Sequence, residues 1–69
     1  MIPRKHSVWK HHNGCLYRVL CVARDEYRQM DLVIHENLNG GIVYARPLDD
    51  FLGTLATDDT VPRFTEISK

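Results

Sequence analysis

The chain has 69 residues, a length that allows one small domain. Its nine Lys and Arg residues balance its nine Asp and Glu residues, so the formal net charge is zero. This balance argues against a domain held mainly on nucleic-acid phosphates, which usually carries a basic excess. The apolar fraction of 43% and the charged fraction of 26% argue against a disordered chain.

The sequence contains no apolar run near the roughly 20 residues that span a bilayer. Residues 1–6 lack the apolar core of a secretory signal. We therefore expect a soluble, cytoplasmic protein with no membrane contact. It should be one domain over residues 1–69, with residues 1–6 flexible. Cys15 and Cys21 are expected to be reduced, because six residues of extended strand would hold them about 20 Å apart.

The first third of the chain predicts two strands. Residues 8–11 are rich in strand formers, and Asn13-Gly14 is typical of a tight turn because glycine tolerates positive φ. Residues 15–23 are apolar at both alternating sets of positions, which predicts a strand that is covered on both sides or curves around a barrel. A helix is the rival interpretation, but the β-branched and aromatic content favours the strand.

The remaining elements follow from turn residues and apolar patterning. Residues 24–29 are charged and predict a loop, and residues 30–36 predict a third strand. A glycine-rich turn then leads into a fourth strand over residues 42–46, which makes an antiparallel hairpin. Pro47 is expected to end that strand, because proline has no N–H for the ladder. The last predicted elements are one helical turn, residues 47–52, and a final strand, residues 63–67.

This order of elements is typical of small SH3-like barrels. We therefore predict an all-β fold, a five-stranded SH3-like barrel with a short 3₁₀ or helical turn before the last strand. Closure of a barrel also removes the exposed strand edges that a small sheet would otherwise present. The alternative is an open sheet with one packed helix.

Three ordered blocks resemble a known family. They cover residues 9–20, 44–51 and 62–67, the last reading Pro-Arg-Phe-Thr-Glu-Ile. Together they resemble the DUF1653 family, small bacterial and phage proteins of unknown function. Residues 24–27 depart from the His-Ser-Glu-Thr that the family often has, and His35 stands where the family usually has Tyr. The resemblance implies an SH3-like barrel and supplies no activity.

Six residues are candidates for a binding site: Trp9, His11, Tyr17, Tyr44, Arg46 and Arg63. We interpret Trp9, the only tryptophan, as half-buried core, with an aromatic binding platform as the alternative. His11 lies two residues further on and should share its strand face.

The two arginines have two interpretations. Arg46 and Arg63 each flank a proline near the helical turn. There they would cap its carbonyl groups or pair with Asp49 or Asp50. The alternative is a fork for a carboxylate or phosphate, since the guanidinium group suits both, with Tyr44 as neighbour.

Catalytic motifs are absent from the sequence. It has no glycine-rich phosphate loop, no serine-nucleophile motif and no Cys-x-x-Cys pair, so we expect neither an enzyme nor a cofactor. The histidine spacing matches no common metal-ligand set, and His11 and His12 should point to opposite sides of a strand. We therefore expect no metal site.

The leading hypothesis is a non-enzymatic binding module that recognises a protein or peptide partner through the rim of the barrel. In a phage it would bind and modulate a host protein. One alternative is a single-stranded RNA or DNA binder that uses basic and stacking residues, namely Arg4, Lys5, Lys10, Arg18 and Trp9 or Tyr17. Another is a small anionic ligand between Arg46 and Arg63. Both a monomer and a small homo-oligomer fit a chain of this size.

Overall fold

The structure is a computed structural model that describes residues 2–68. It contains five strands and one short helix in the predicted order: β1 (Val8–His11), β2 (Leu16–Asp25), β3 (Met30–Asn37), β4 (Val43–Pro47), α1 (Leu48–Phe51) and β5 (Phe64–Ser68). The all-β class and the helical turn before the last strand are confirmed. No helix of the described residues is long and apolar enough to cross a membrane.

The second strand runs further than its charge pattern predicts. Its last two residues pair with the start of β3, although the sequence predicts a loop there. The reversal fits into residues 26–29 because the Asp25 carboxylate accepts hydrogen bonds of 3.1 Å from the N–H groups of Tyr27 and Arg28. Gln29 then takes the left-handed conformation, with φ of 57°. Hydrogen bonds to a nearby side chain thus stabilise a turn that contains neither glycine nor proline.

The five strands form one antiparallel sheet in the order β4-β3-β2-β1-β5. The first and last strands of this order, β4 and β5, are its two edges. Within residues 2–68 these edges do not pair with each other, so the sheet is open and closure into a barrel remains a prediction.

The sheet nevertheless curls strongly. The register shifts between Val19 and Cys21 in β2 and between Val8 and Trp9 in β1. Such bulges bend a strand and increase its twist. The two edges therefore approach each other through their side chains: the guanidinium carbon of Arg46 in β4 lies 5.8 Å from the ring centre of Phe64 in β5.

The core lies on the concave side of this curled sheet, and α1 covers it. Phe51 is fully buried and stacks on Phe64, with ring centres 4.2 Å apart. Trp9 meets the Phe51 ring edge-on at 5.2 Å. Val19 and Val33 complete the buried cluster. A helix of one turn is stable here because its single aromatic side chain fills the space that the sheet encloses.

The N-terminal segment makes defined contacts ahead of β1. Pro3 is buried, and the His6 N–H donates a hydrogen bond of 2.7 Å to the Val19 carbonyl. The prediction of a flexible segment also includes Met1, which lies outside the described residues.

Candidate binding groove

An open groove of about 400 Å³ lies on the concave side between the two edge strands. This volume falls in the range of about 300–1,000 Å³ that is usual for ligand pockets. Every strand and α1 contribute to its wall, which consists of His11, Tyr17, His35, Tyr44, Ala45, Arg46, Pro47, Asp50 and Phe64. We call this feature the groove.

Tyr17 stands at the centre of an aromatic floor. Its ring centre lies 5.2 Å from that of His35, 5.7 Å from Phe64 and 6.2 Å from Tyr44. All three contacts are edge-to-face, the arrangement that aromatic quadrupoles favour. The Tyr44 side chain is still 44% exposed. The floor is therefore held rigidly on one side and is accessible to a ligand on the other.

The strand register explains why these rings meet. Trp9 lies directly opposite Tyr17, and His11 lies opposite Phe64. Directly paired residues project to the same face of a sheet, as do residues two apart in one strand. Trp9 therefore lies in the core. His11, at the end of β1, lies in the groove wall, where its ring centre is 4.8 Å from that of Phe64.

One carboxylate joins the two predicted arginines. Arg46 donates to the Asp50 carboxylate, and Nη2 of Arg63 lies 3.6 Å from its other oxygen. Arg63 also donates to the Thr54 carbonyl at 3.2 Å. The predicted pairing with the helical turn is thus confirmed at Asp50. Two guanidinium groups share one carboxylate, so one positive charge beside the groove is unbalanced.

His35 is the buried histidine of the groove and is only 3% exposed. Its Nδ1 lies 3.0 Å from the Val33 carbonyl. A carbonyl oxygen can only accept, so this contact assigns the proton to Nδ1. Burial lowers the pKa of His35 below its usual 6.5, the bond to Val33 opposes this effect, and the charge of Arg46 lowers the pKa further. His35 is therefore held neutral.

Because His35 is buried and its pKa is lowered, we predict that the fold is less stable in mild acid. Below about pH 6.5 the unfolded chain takes up a proton that the folded chain excludes, so the free energy of unfolding should fall until the pH reaches the folded pKa. Urea unfolding at about pH 7.5 and about pH 5.5 measures the difference. His35→Phe should reduce the difference; part should remain, because burial also lowers the pKa of His11. An unchanged difference in the variant would contradict the assignment.

The structure brings four of the six candidate residues together. His11, Tyr17, Tyr44 and Arg46 line the groove. Trp9 does not: it belongs to the core, as its structural interpretation predicts, and at 4% exposure it is more deeply buried than the predicted half-buried position. Arg63 lies beside the groove on the far side of Asp50.

Sequence reasoning missed five of the nine groove residues as site candidates, namely His35, Ala45, Pro47, Asp50 and Phe64. His35 has no local pattern that marks it, and Phe64 is predicted only as an anchor of the last strand. Asp50 is predicted as an arginine partner and not as part of the wall. The antiparallel register joins these residues, and only long-range pairing could have revealed it.

Two of the basic residues proposed for nucleic-acid binding, Lys10 and Arg18, project away from the groove. Lys10 and Arg18 lie opposite Leu16 and Val8. These pairs alternate with the pair of Trp9 and Tyr17, so they project to the other face of the sheet. Trp9 is buried and cannot stack on a base. The structure thus places Lys10 and Arg18 on the face of the sheet opposite the aromatic floor of the groove.

Two expectations about His and Cys side chains have different outcomes. Cys15 and Cys21 are unbridged, as predicted. The expectation that His11 and His12 point apart is wrong: their ring centres are 4.4 Å apart. The strand ends at His11, and the chain turns through Gly14, which has φ of 98°. Across the described part of the chain, no three His, Cys, Asp or Glu side chains group closely enough for a metal ion.

Comparison with known proteins places the chain in a family. A family model described as "Protein of unknown function (DUF1653)" matches residues 7–66. No curated protein and no solved structure gives a significant match. The family match includes all of the groove residues and nearly the whole sheet. The chain therefore belongs to the DUF1653 family.

Proposed function

We propose that this chain is a non-enzymatic binding module that recognises a protein partner through the groove. The observation that carries the proposal is the exposed aromatic floor around Tyr17 and Tyr44, backed by a rigid sheet. Exposed tyrosines contribute much of the affinity at protein interfaces, because they bury a large area with little loss of side-chain freedom.

The charges around the groove support a protein partner over the two alternatives. Arg46 and Arg63 both lie against the Asp50 carboxylate, so a small anion placed between them would meet that negative charge. Single-stranded nucleic acid needs a basic track beside its stacking platform. Here Lys10 and Arg18 lie on the opposite face from Tyr17.

Affinity capture from a lysate of the host, with and without nuclease, tests the class of partner. We expect a stoichiometric protein that remains bound after nuclease treatment. A captured species that disappears with nuclease, or binding that weakens steeply with salt, would favour nucleic acid instead.

A further inference from the structure

The groove follows the free edge of β4. Four consecutive residues of this strand, Tyr44 to Pro47, line the groove. Successive side chains of a strand point to opposite faces, so a cavity on one face alone would touch every second residue. Because four consecutive residues line the groove, the groove must extend along the edge of β4. A ligand in the groove can therefore contact the backbone of this strand.

The pairing of β4 shows which backbone groups this edge presents. The N–H of Asn37 donates to the Ile42 carbonyl at 2.8 Å, and the register continues from this pair to His35 opposite Tyr44. Because antiparallel pairs alternate, Tyr44 and Arg46 direct their backbone groups to β3, and Ala45 directs its N–H and C=O outward. The backbone nitrogen of Pro47 also points away from β3. A proline is therefore compatible with the end of this strand, because no N–H is needed there for the ladder.

The shape of the groove limits what can lie on this edge. Phe64 of β5 and Asp50 of α1 close its far side. A second copy of this chain, or the edge of another folded sheet, would bring its own neighbouring strand into that wall. A single extended segment would occupy only the space between the edge and the wall.

The charges of the groove select the side chains of such a segment. Asp50 is the one carboxylate in the wall, and it is shared by Arg46 and Arg63. The unbalanced positive charge favours an acidic side chain over Arg46, whose side chain is 33% exposed. Neighbouring apolar side chains of the segment would lie on the aromatic floor.

We propose that the partner contributes a short, extended, acidic segment that adds to β4 as a sixth strand, with its backbone bonded to Ala45 and a carboxylate near Arg46. This inference rests on the proposed function and specifies how the groove is used. Strand addition supplies affinity through main-chain hydrogen bonds, and side-chain pockets supply specificity.

Backbone NMR of the full chain with pools of pentapeptides tests the proposal. The first pool is N-acetylated Xaa-Xaa-Glu-Xaa-Xaa amide, in which Xaa is Val, Thr or Tyr. The second replaces Glu with Lys, and the third is the first pool with alternate amides N-methylated, which removes backbone donors. We expect the Glu pool to slow solvent exchange of the Ala45 amide and to bind about tenfold more tightly than either other pool.

A matched pair of variants tests the same edge from the side of the chain. Ala45→Pro removes the outward N–H from an edge position that tolerates proline, and Ala45→Val retains it. We expect Ala45→Pro to lose at least about tenfold in affinity for the Glu pool, with Ala45→Val close to the wild type.

The outcomes separate the inference from the proposed function. Shifts at Tyr17 and Phe64 without slower exchange at Ala45, or equal binding of the N-methylated pool, would overturn strand addition and leave the groove as a binding site. If no peptide pool shifts the NMR signals of the groove residues but a captured protein partner shifts them, strand addition is likewise overturned. If neither shifts them, both proposals fail.

Discussion

Replacing Phe51 with alanine is expected to remove a large part of the free energy that stabilises the fold. Phe51 is fully buried, and its ring lies within 5.3 Å of the ring centres of Trp9, His35 and Phe64. Such a truncation costs about 3–5 kcal/mol. The whole stability of a small domain is only about 0.05–0.15 kcal/mol per residue. One side chain therefore accounts for much of the stability of the sheet.

Urea unfolding followed by the fluorescence of Trp9 measures this effect, since Trp9 packs directly on Phe51. Leu52→Ala is the control, because Leu52 is the next residue and is 36% exposed. We expect it to cost less than about 1 kcal/mol. If Phe51→Ala also lowered the free energy of unfolding by less than about 1 kcal/mol, the placement of α1 over the core would be wrong.

Ser7→Ala is expected to destabilise the chain by about 1–3 kcal/mol. Ser7 is fully buried. Its hydroxyl accepts a hydrogen bond of 2.9 Å from Nε1 of Trp9 and donates one of 2.6 Å to the Arg4 carbonyl. Alanine would leave the indole N–H buried without a partner, which is the costly form of a lost hydrogen bond.

A double-mutant cycle separates this bond from general packing. In a Trp9→Phe background the indole N–H is already absent, so Ser7→Ala should be less destabilising there than in the wild type. Urea midpoints of the four proteins give the coupling free energy. Equal losses in both backgrounds would show that the bond between Ser7 and Trp9 contributes nothing.

Local patterns were sufficient to predict most of the fold. Asn13-Gly14 and the glycine pair at 40–41 mark two hairpin turns, and Gly14, Gly40 and Gly41 all have positive φ. Pro47, with the acidic residues after it, marks the helical turn. The loop predicted at residues 24–29 is shorter in the structure, residues 26–29, because hydrogen bonds to the Asp25 carboxylate form a tight turn that neither glycine nor proline marks.

The groove was harder to predict because long-range register assembles it. Tyr17 and Tyr44 are recognisable as candidates by residue type, but their contact depends on the pairing of β2 with β3 and of β3 with β4. Curling of the sheet then brings Phe64 beneath Arg46. His35 looks like any strand residue in the sequence, and its burial follows only from its position at the centre of the sheet.

The proposed function requires that the partner binds at the groove, and two tyrosines test this most directly. Tyr44 lines the groove, whereas Tyr27 lies outside it and is 91% exposed. The dissociation constant of the captured partner is measured for the wild type, Tyr44→Ala and Tyr27→Ala, with circular dichroism to verify folding. We predict that Tyr44→Ala weakens binding by about 2 kcal/mol, roughly 30-fold, and that Tyr27→Ala leaves it unchanged. Equal affinities for folded Tyr44→Ala and wild type would contradict the assignment of the groove as the binding site.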